Sequence, residues 1–257
     1  MRIAGGPGRL RGSPPAAVRN ARLHGAAVSA SADRTVVELP HLRDRVPVFA
    51  DRADAGMVLA DMLREYRRRE AMVLAIPAGG VPVAAVVARH LRLPLDVAVV
   101  SKITLPWNTE AGYGAVAFDG TVRLNESMLV HARLSDADIQ RGIAETAEKV
   151  ATRAQALRGD RPPLVVAGQI VILIDDGLAS GFTMRVAVEA VQKADAGRTV
   201  VAVPTGHDAS VQALQEQVDA VYCANIRGGW HFAVAEAYER WYDVSLDEAR
   251  RILTEFR

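Results

Sequence analysis

Apolar positions along the chain follow two spacings. Residues 71–76, 95–100, 171–174, 198–203 and 220–223 are short runs, apolar almost throughout. Runs of that length without polar alternation predict parallel strands covered on both faces. Between them the spacing becomes helical. Val58, Leu59, Met62, Leu63 and Tyr66 share one stripe within residues 51–69, and Arg67, Arg68 and Arg69 close it where cations suit the helix dipole. Further helices are predicted over 83–91, 184–194, 209–217 and 246–256. Ser135 and Asp138 open a longer helix as a capping box, with Asp in place of the usual Glu or Gln. Ile139, Ile143, Val150, Ala154 and Leu157 mark its buried side, and Arg161-Pro162-Pro163 stops it. Residues 113–118 and 121–124 flank Asp119-Gly120 and read as a hairpin, whereas 103–112 has no period and reads as a mobile loop. The whole predicts an α/β fold: a doubly wound, mostly parallel five-stranded sheet flanked by helices, with an inserted hairpin and a small cap. No internal repeat is visible.

Composition narrows the class. The chain has 257 residues, half of them apolar, which suits one sizeable domain. Lys plus Arg number 31 against 30 Asp plus Glu, so no nucleic-acid partner is expected. The single cysteine, Cys223, excludes an internal disulfide and a paired-cysteine metal site; a buried small residue is its expected role. No apolar run reaches the roughly 18 residues of a membrane span, so no membrane partner and a cytoplasmic location are expected. Residues 1–40 are rich in Gly, Pro, Ala, Ser and Arg, without periodicity, and read as a disordered tail. Their arginine bias loosely resembles a transit peptide; a plain tail or a start further downstream is the simpler alternative. The domain is then 45–257, with a lid over about 103–118 and a C-terminal cap over about 225–257.

The chemistry concentrates in residues 171–183, V-I-L-I-D-D-G-L-A-S-G-F-T. An apolar strand ends in Asp175 and Asp176 and turns through Gly, Ser and Thr into a helix. A helix N-terminus offers unpaired N–H groups and a positive dipole end to a phosphate, while carboxylates accept from hydroxyls or hold a hydrated metal. Adjacent strand residues point to opposite faces, so both acids reach one ligand only at the strand's last turn. Ser180 lacks the G-x-S-x-G spacing of a nucleophile elbow, and His231 has no partner at metal-ligand spacing. A second Gly-bearing turn, Pro77-Ala78-Gly79-Gly80-Val81-Pro82, follows the 71–76 run, and Lys102 follows the 95–100 run.

Residues 171–183 resemble the ribose-phosphate signature of type I phosphoribosyltransferases. The likeness continues through 76–84, 99–102, 107–116, Leu124-Asn125-Glu126 and 161–168, which look like a branch of that family with an unidentified acceptor. It covers roughly residues 49–242. The resemblance implies 5-phosphoribosyl-1-pyrophosphate (PRPP) with Mg²⁺, and transfer of the phosphoribosyl group to a nitrogen nucleophile. It implies that Asp175 and Asp176 accept from the ribose hydroxyls and touch Mg²⁺ through water. Ala179, Ser180, Gly181, Phe182 and Thr183 would cradle the 5-phosphate. Ala78, Gly79, Gly80 and Lys102 would take the pyrophosphate, Lys102 counting as catalytic with the two acids. Trp107, Asn108, Glu110 and Tyr113 would belong to the lid. Trp230, His231, Phe232, Trp241 and Tyr242 either stack on a base or pack the cap. That branch carries Arg where Ala78 and Ser101 stand, so two cations are missing from the pyrophosphate side, and Phe182 replaces a small residue. A PRPP- or nucleotide-sensing protein without transfer activity is one alternative, and a metal-dependent phosphohydrolase a lesser one. A homodimer is the default assembly.

Overall fold

Alternation along the central strands puts successive side chains on opposite faces, and both faces are covered. The computed structural model describes residues 34–256, with backbone alone for Thr109 and Glu110. In chain order the elements are β1 (Thr35–Val37), α1 (Arg52–Met62), β2 (Ala71–Ala75), α2 (Gly80–Leu91), β3 (Leu95–Val97), β4 (Val100–Leu105), β5 (Asn108–Ala117) and β6 (Val122–Leu124). Then follow α3 (Glu126–Ala132), α4 (Asp136–Arg158), β7 (Ile170–Ile174), α5 (Phe182–Lys193), β8 (Arg198–His207), α6 (Asp208–Gln215), β9 (Ala220–Arg227) and α7 (Leu246–Thr254).

Six strands form one sheet in the order β1-β9-β8-β7-β2-β3, every neighbouring pair parallel. Val73, Ala75, Ile172, Ile174, Val200 and Ala202 pack with α1, α2, α4 and α7. Leu74, Val171, Leu173, Val201, Val203 and Cys223 pack with α5 and α6. This is the doubly wound, mostly parallel arrangement that the apolar runs predict.

The differences lie at the margins. The sheet has six strands because Thr35–Val37, inside the stretch read as tail, pairs with Ala220–Tyr222. Composition hides so short an edge strand. The rest of the expected tail, 1–33, lies outside the described residues. Strand β8 continues past Val203 through Pro204 because β7 ends opposite Ala202. Beyond that point β8 pairs only with β9, so the missing proline N–H costs no ladder bond. Strand β9 likewise continues through the fully buried Asn225. The Thr205 hydroxyl donates to Asn225 Oδ1 at 2.7 Å, and Asn225 Nδ2 donates to the carbonyls of Leu42 and Arg45.

The expected loop 103–112 is instead a β-hairpin. β4 and β5 pair antiparallel from Val100–Ala117 to Leu105–Asn108, with register shifts around Thr104, and β6 completes a three-stranded sheet. The Ser135 capping box is present, the Ser135 hydroxyl accepting from the Asp138 N–H at 3.2 Å. At the other end of α4, Arg158 donates to both oxygens of the buried Asp96 at 3.0 and 3.1 Å. That pair fixes α4 against β3, and α4 also packs on β4 and β5.

Candidate functional site

The last turn of β7 separates its two acids. Asp175 lines a cleft of about 140 Å³ together with Lys102, Gly177–Met184 and Val234. Gly181, at φ +67°, makes the turn into α5, and the first intrahelical bond runs from the Arg185 N–H to its carbonyl at 2.9 Å. The amides of the first helical turn therefore stay unpaired within α5 and border this cleft. Ala179 and Ser180 are exposed, and Leu178 is pinned to β8 by bonds with the Thr205 carbonyl and the His207 N–H. The loop is thus anchored on its buried side and open on the other. The Phe182 ring lies 5.6 Å from the Arg185 guanidinium at the cleft wall.

Asp176 turns the other way. Its Oδ2 accepts from Arg52 Nε at 3.0 Å and Nη2 at 2.8 Å. Arg52 is only 5% exposed; its guanidinium stacks on Trp241 at 3.9 Å and donates to the Tyr242 carbonyl at 2.9 Å. The Tyr238 hydroxyl donates to the Asp176 carbonyl oxygen at 2.5 Å. The expected pair of ribose acids is therefore one cleft-facing carboxylate and one in a structural ion pair. Burial, with the Asp176 carboxylate beside it, holds the Asp175 carboxyl well above the usual carboxylate range. Trp241 and Tyr242 pack the cap around Arg52, while Trp230 is fully exposed. Arg52 escaped the sequence reading. The available signal was a cation in the first turn of a helix, where the dipole opposes it.

The glycine turn lies flush against both acids. A Cβ on Gly79 would fall 2.1 Å from Asp176 Oδ2, and one on Gly80 would fall 2.7 Å from the Ile174 carbonyl oxygen. The N–H groups of Gly80 and Val81 bond to the carbonyls of Ile76 and Ala78 at 3.0 and 3.1 Å. Ala78 and Gly79 are left as the turn's available amides, fewer than the whole-loop cradle expected.

A second cleft of about 350 Å³ continues from the first and shares Lys102, Asp175 and Thr183 with it. Its other walls include Pro77, Ser101, Thr104, Lys149 and Arg153. Lys149 and Arg153, on α4, were not singled out from the sequence. Their spacing of four beside the buried Val150 and Ala154 was the signal that they share one edge of that helix.

The lid residues divide. Trp107 is exposed at the hairpin tip. Asn108 and Glu110 lie on β5, the Glu110 side chain being outside the described part. Tyr113 is 1% exposed and belongs to the core against α4, where a Cβ on Gly142 would fall 2.1 Å from its hydroxyl oxygen. It is not a lid residue. Among the described residues no three His, Cys, Asp or Glu side chains gather as a metal cage. A single cleft carboxylate suits an ion such as Mg²⁺, which keeps waters and substrate oxygens as most of its ligands.

Comparison with known proteins bears on the same residues. A model of the phosphoribosyl transferase domain matches residues 120–238, which take in β7, both acids and the loop into α5. Two Mycobacterium tuberculosis proteins, "Putative phosphoribosyl transferase Rv0571c" (strain ATCC 25618 / H37Rv) and "Putative phosphoribosyl transferase MT0597" (strain CDC 1551 / Oshkosh), are each 34% identical over 201 residues. The chain belongs to the phosphoribosyltransferase family. Each match covers 78% of this family member and 45% of the relative, so the chain spans less than half the length of the curated relatives it matches. The crystal structure of TT1426 from Thermus thermophilus is 33% identical, with a TM-score of 0.66 over 81% of this phosphoribosyltransferase-family chain and 99% of that one. No helix among the described residues is long and apolar enough to cross a membrane.

Proposed function

We propose that this domain binds PRPP and transfers its 5-phosphoribosyl group to a nitrogen nucleophile, releasing pyrophosphate. One observation carries the reading: Asp175, Lys102 and the helix-capping loop 177–183 wall a single cleft at the end of β7. The amides at the start of α5, with the Ser180 and Thr183 hydroxyls, receive the 5-phosphate. Asp175 accepts from a ribose hydroxyl, and Lys102 stands where charge on the leaving group grows. The C1–O bond to pyrophosphate breaks as the acceptor's nitrogen lone pair forms the C1–N bond, and the proton on that nitrogen passes to solvent. Positive charge develops on the sugar, as in glycoside hydrolysis, so positioning and electrostatics do most of the work. Bound with the substrate, Mg²⁺ supplies further neutralisation of the pyrophosphate, with Asp175 holding it through water.

Titration calorimetry with PRPP and MgCl₂ tests this. The expected result is binding by the wild type, weakened roughly tenfold to a hundredfold in Asp175→Asn, the scale of one charge-assisted contact. No binding by the wild type, or equal binding by the variant, overturns the reading. A second reading, PRPP sensing without transfer, is favoured by one observation: Arg52 already occupies Asp176. Pyrophosphate release in the presence of a panel of purines, pyrimidines and amines decides between the two.

A further inference from the structure

The part of the site that looks depleted in sequence is cationic in space. Ala78 and Ser101 stand where Arg was expected, yet the second cleft gathers Lys102 of β4 with Lys149 and Arg153 of α4. None of the three has a hydrogen bond or ion pair among the described residues, although Arg153 is half-buried. Three unpaired cations around one carboxylate repel each other unless an anion joins them. The Ser101 hydroxyl supplies an independent sign. The residue is 5% exposed, its Oγ is buried without a partner, and it lines the same cleft. A buried hydroxyl without a partner costs stability until a ligand or water satisfies it.

The position of α4 is not incidental. Arg158, five residues beyond Arg153, is clamped to Asp96, and Arg161 donates to the carbonyls of Leu95 and Leu253 at 3.1 and 2.9 Å. The two cations therefore project from a helix fixed to the sheet, not from a loose arm. Because Lys102, Asp175 and Thr183 border both clefts, a ligand seated by its sugar phosphate in the first extends directly into the second.

We propose that Lys149 and Arg153 of α4, with Ser101, form the subsite that holds the diphosphate arm of the substrate, replacing charge that this chain lacks at Ala78 and Ser101. The pair determines specificity: it distinguishes a sugar phosphate carrying a diphosphate from one without it. This inference rests on the PRPP reading above and deepens it.

The test is calorimetry on the full chain with three probes: PRPP with MgCl₂, inorganic pyrophosphate with MgCl₂, and ribose 5-phosphate. Variants are Lys149→Gln, Arg153→Gln, the double variant, and Arg153→Lys, which keeps the charge. Glutamine is a good helix former, and circular dichroism checks that α4 survives. Each single loss of charge is expected to weaken PRPP and pyrophosphate about tenfold or more. Ribose 5-phosphate binding stays within about twofold, and Arg153→Lys recovers most of the affinity. Equal PRPP and pyrophosphate affinities in wild type and double variant overturn the subsite while leaving the PRPP reading intact. Equal weakening of all three probes also overturns it, since that is the signature of a structural role. A wild type that binds pyrophosphate through this pair but not PRPP keeps the subsite and removes the PRPP reading. A wild type that binds neither removes both.

Discussion

At the scale of single residues, the Arg52–Asp176 pair decides how the two acids of the signature are used. A guanidinium that is 5% exposed, donates two bonds to one carboxylate oxygen and stacks on an indole is held in a single geometry. Removing it leaves Asp176 largely buried with no counter-charge, a change that costs about 3 kcal/mol or more. Arg52→Ala is therefore expected to lower the unfolding free energy by about that amount in urea titrations. Arg52→Lys should recover less than half of the loss, because an ammonium can neither fork onto the oxygen nor stack. A loss below about 0.5 kcal/mol, the size of an exposed pair, would refute a structural role for the contact. This contact was out of reach of sequence reading because 124 positions separate its partners. Asp175, Ser180 and Thr183 were legible for the opposite reason: they stand in one contiguous strand–turn–helix whose chemistry is local.

At the scale of elements, local signals were reliable and pairing was not. Apolar runs located the sheet's interior strands, since burial on both faces leaves its mark residue by residue. The hairpin of β4 and β5 was missed over 103–112 because its order comes from hydrogen bonds between strands, which leave no apolar period in T-L-P-W-N-T-E-A. Helix starts were legible where the cap is a side chain. Asp51 shows this for α1, its Oδ1 accepting from the Ala53 and Asp54 N–H groups at 2.9 and 3.0 Å. The Asp54 N–H first, and then the Arg240 guanidinium, hold the Asp51 carboxyl below its usual range. A carboxyl depressed in the folded state binds fewer protons there than in the unfolded chain. Its stabilisation is complete above the ordinary carboxylate range and is lost as pH falls through that range towards the depressed value. Asp51→Ala is expected to cost about 1 kcal/mol at pH 7. Its gap to the wild type should narrow as pH falls below about 4, measured by thermal unfolding at a series of pH values. A gap that stays constant from about pH 7 to 3 would show that charge plays no part in this cap.

At the scale of the whole molecule, the site depends on a sheet that opens only as a unit. β7 carries the acids, β8 pins the phosphate loop through Leu178, and β9 is enclosed between β8 and β1. Cys223 reports on that enclosure. It is fully buried on β9 among Val203, Val211 and Leu214, and burial pushes its thiol far above the usual range. The thiolate is the reactive form, so reaction requires both solvent access and release from the apolar surroundings. No local fraying supplies these, because β9 is paired along its length with β8 and covered by α6 on the face that holds the thiol. Exposure of Cys223 must then follow global unfolding, as expected for the most stable part of a cooperative domain. A chromogenic disulfide reagent at neutral pH is expected to leave the native protein unlabelled over hours and to label one thiol per chain once urea passes the unfolding midpoint. Labelling rates should rise in Arg52→Ala in proportion to its loss of global stability. Rapid labelling of the native wild type would mean that β9 separates from its neighbours without unfolding, and the phosphate loop could not then be a rigid cradle.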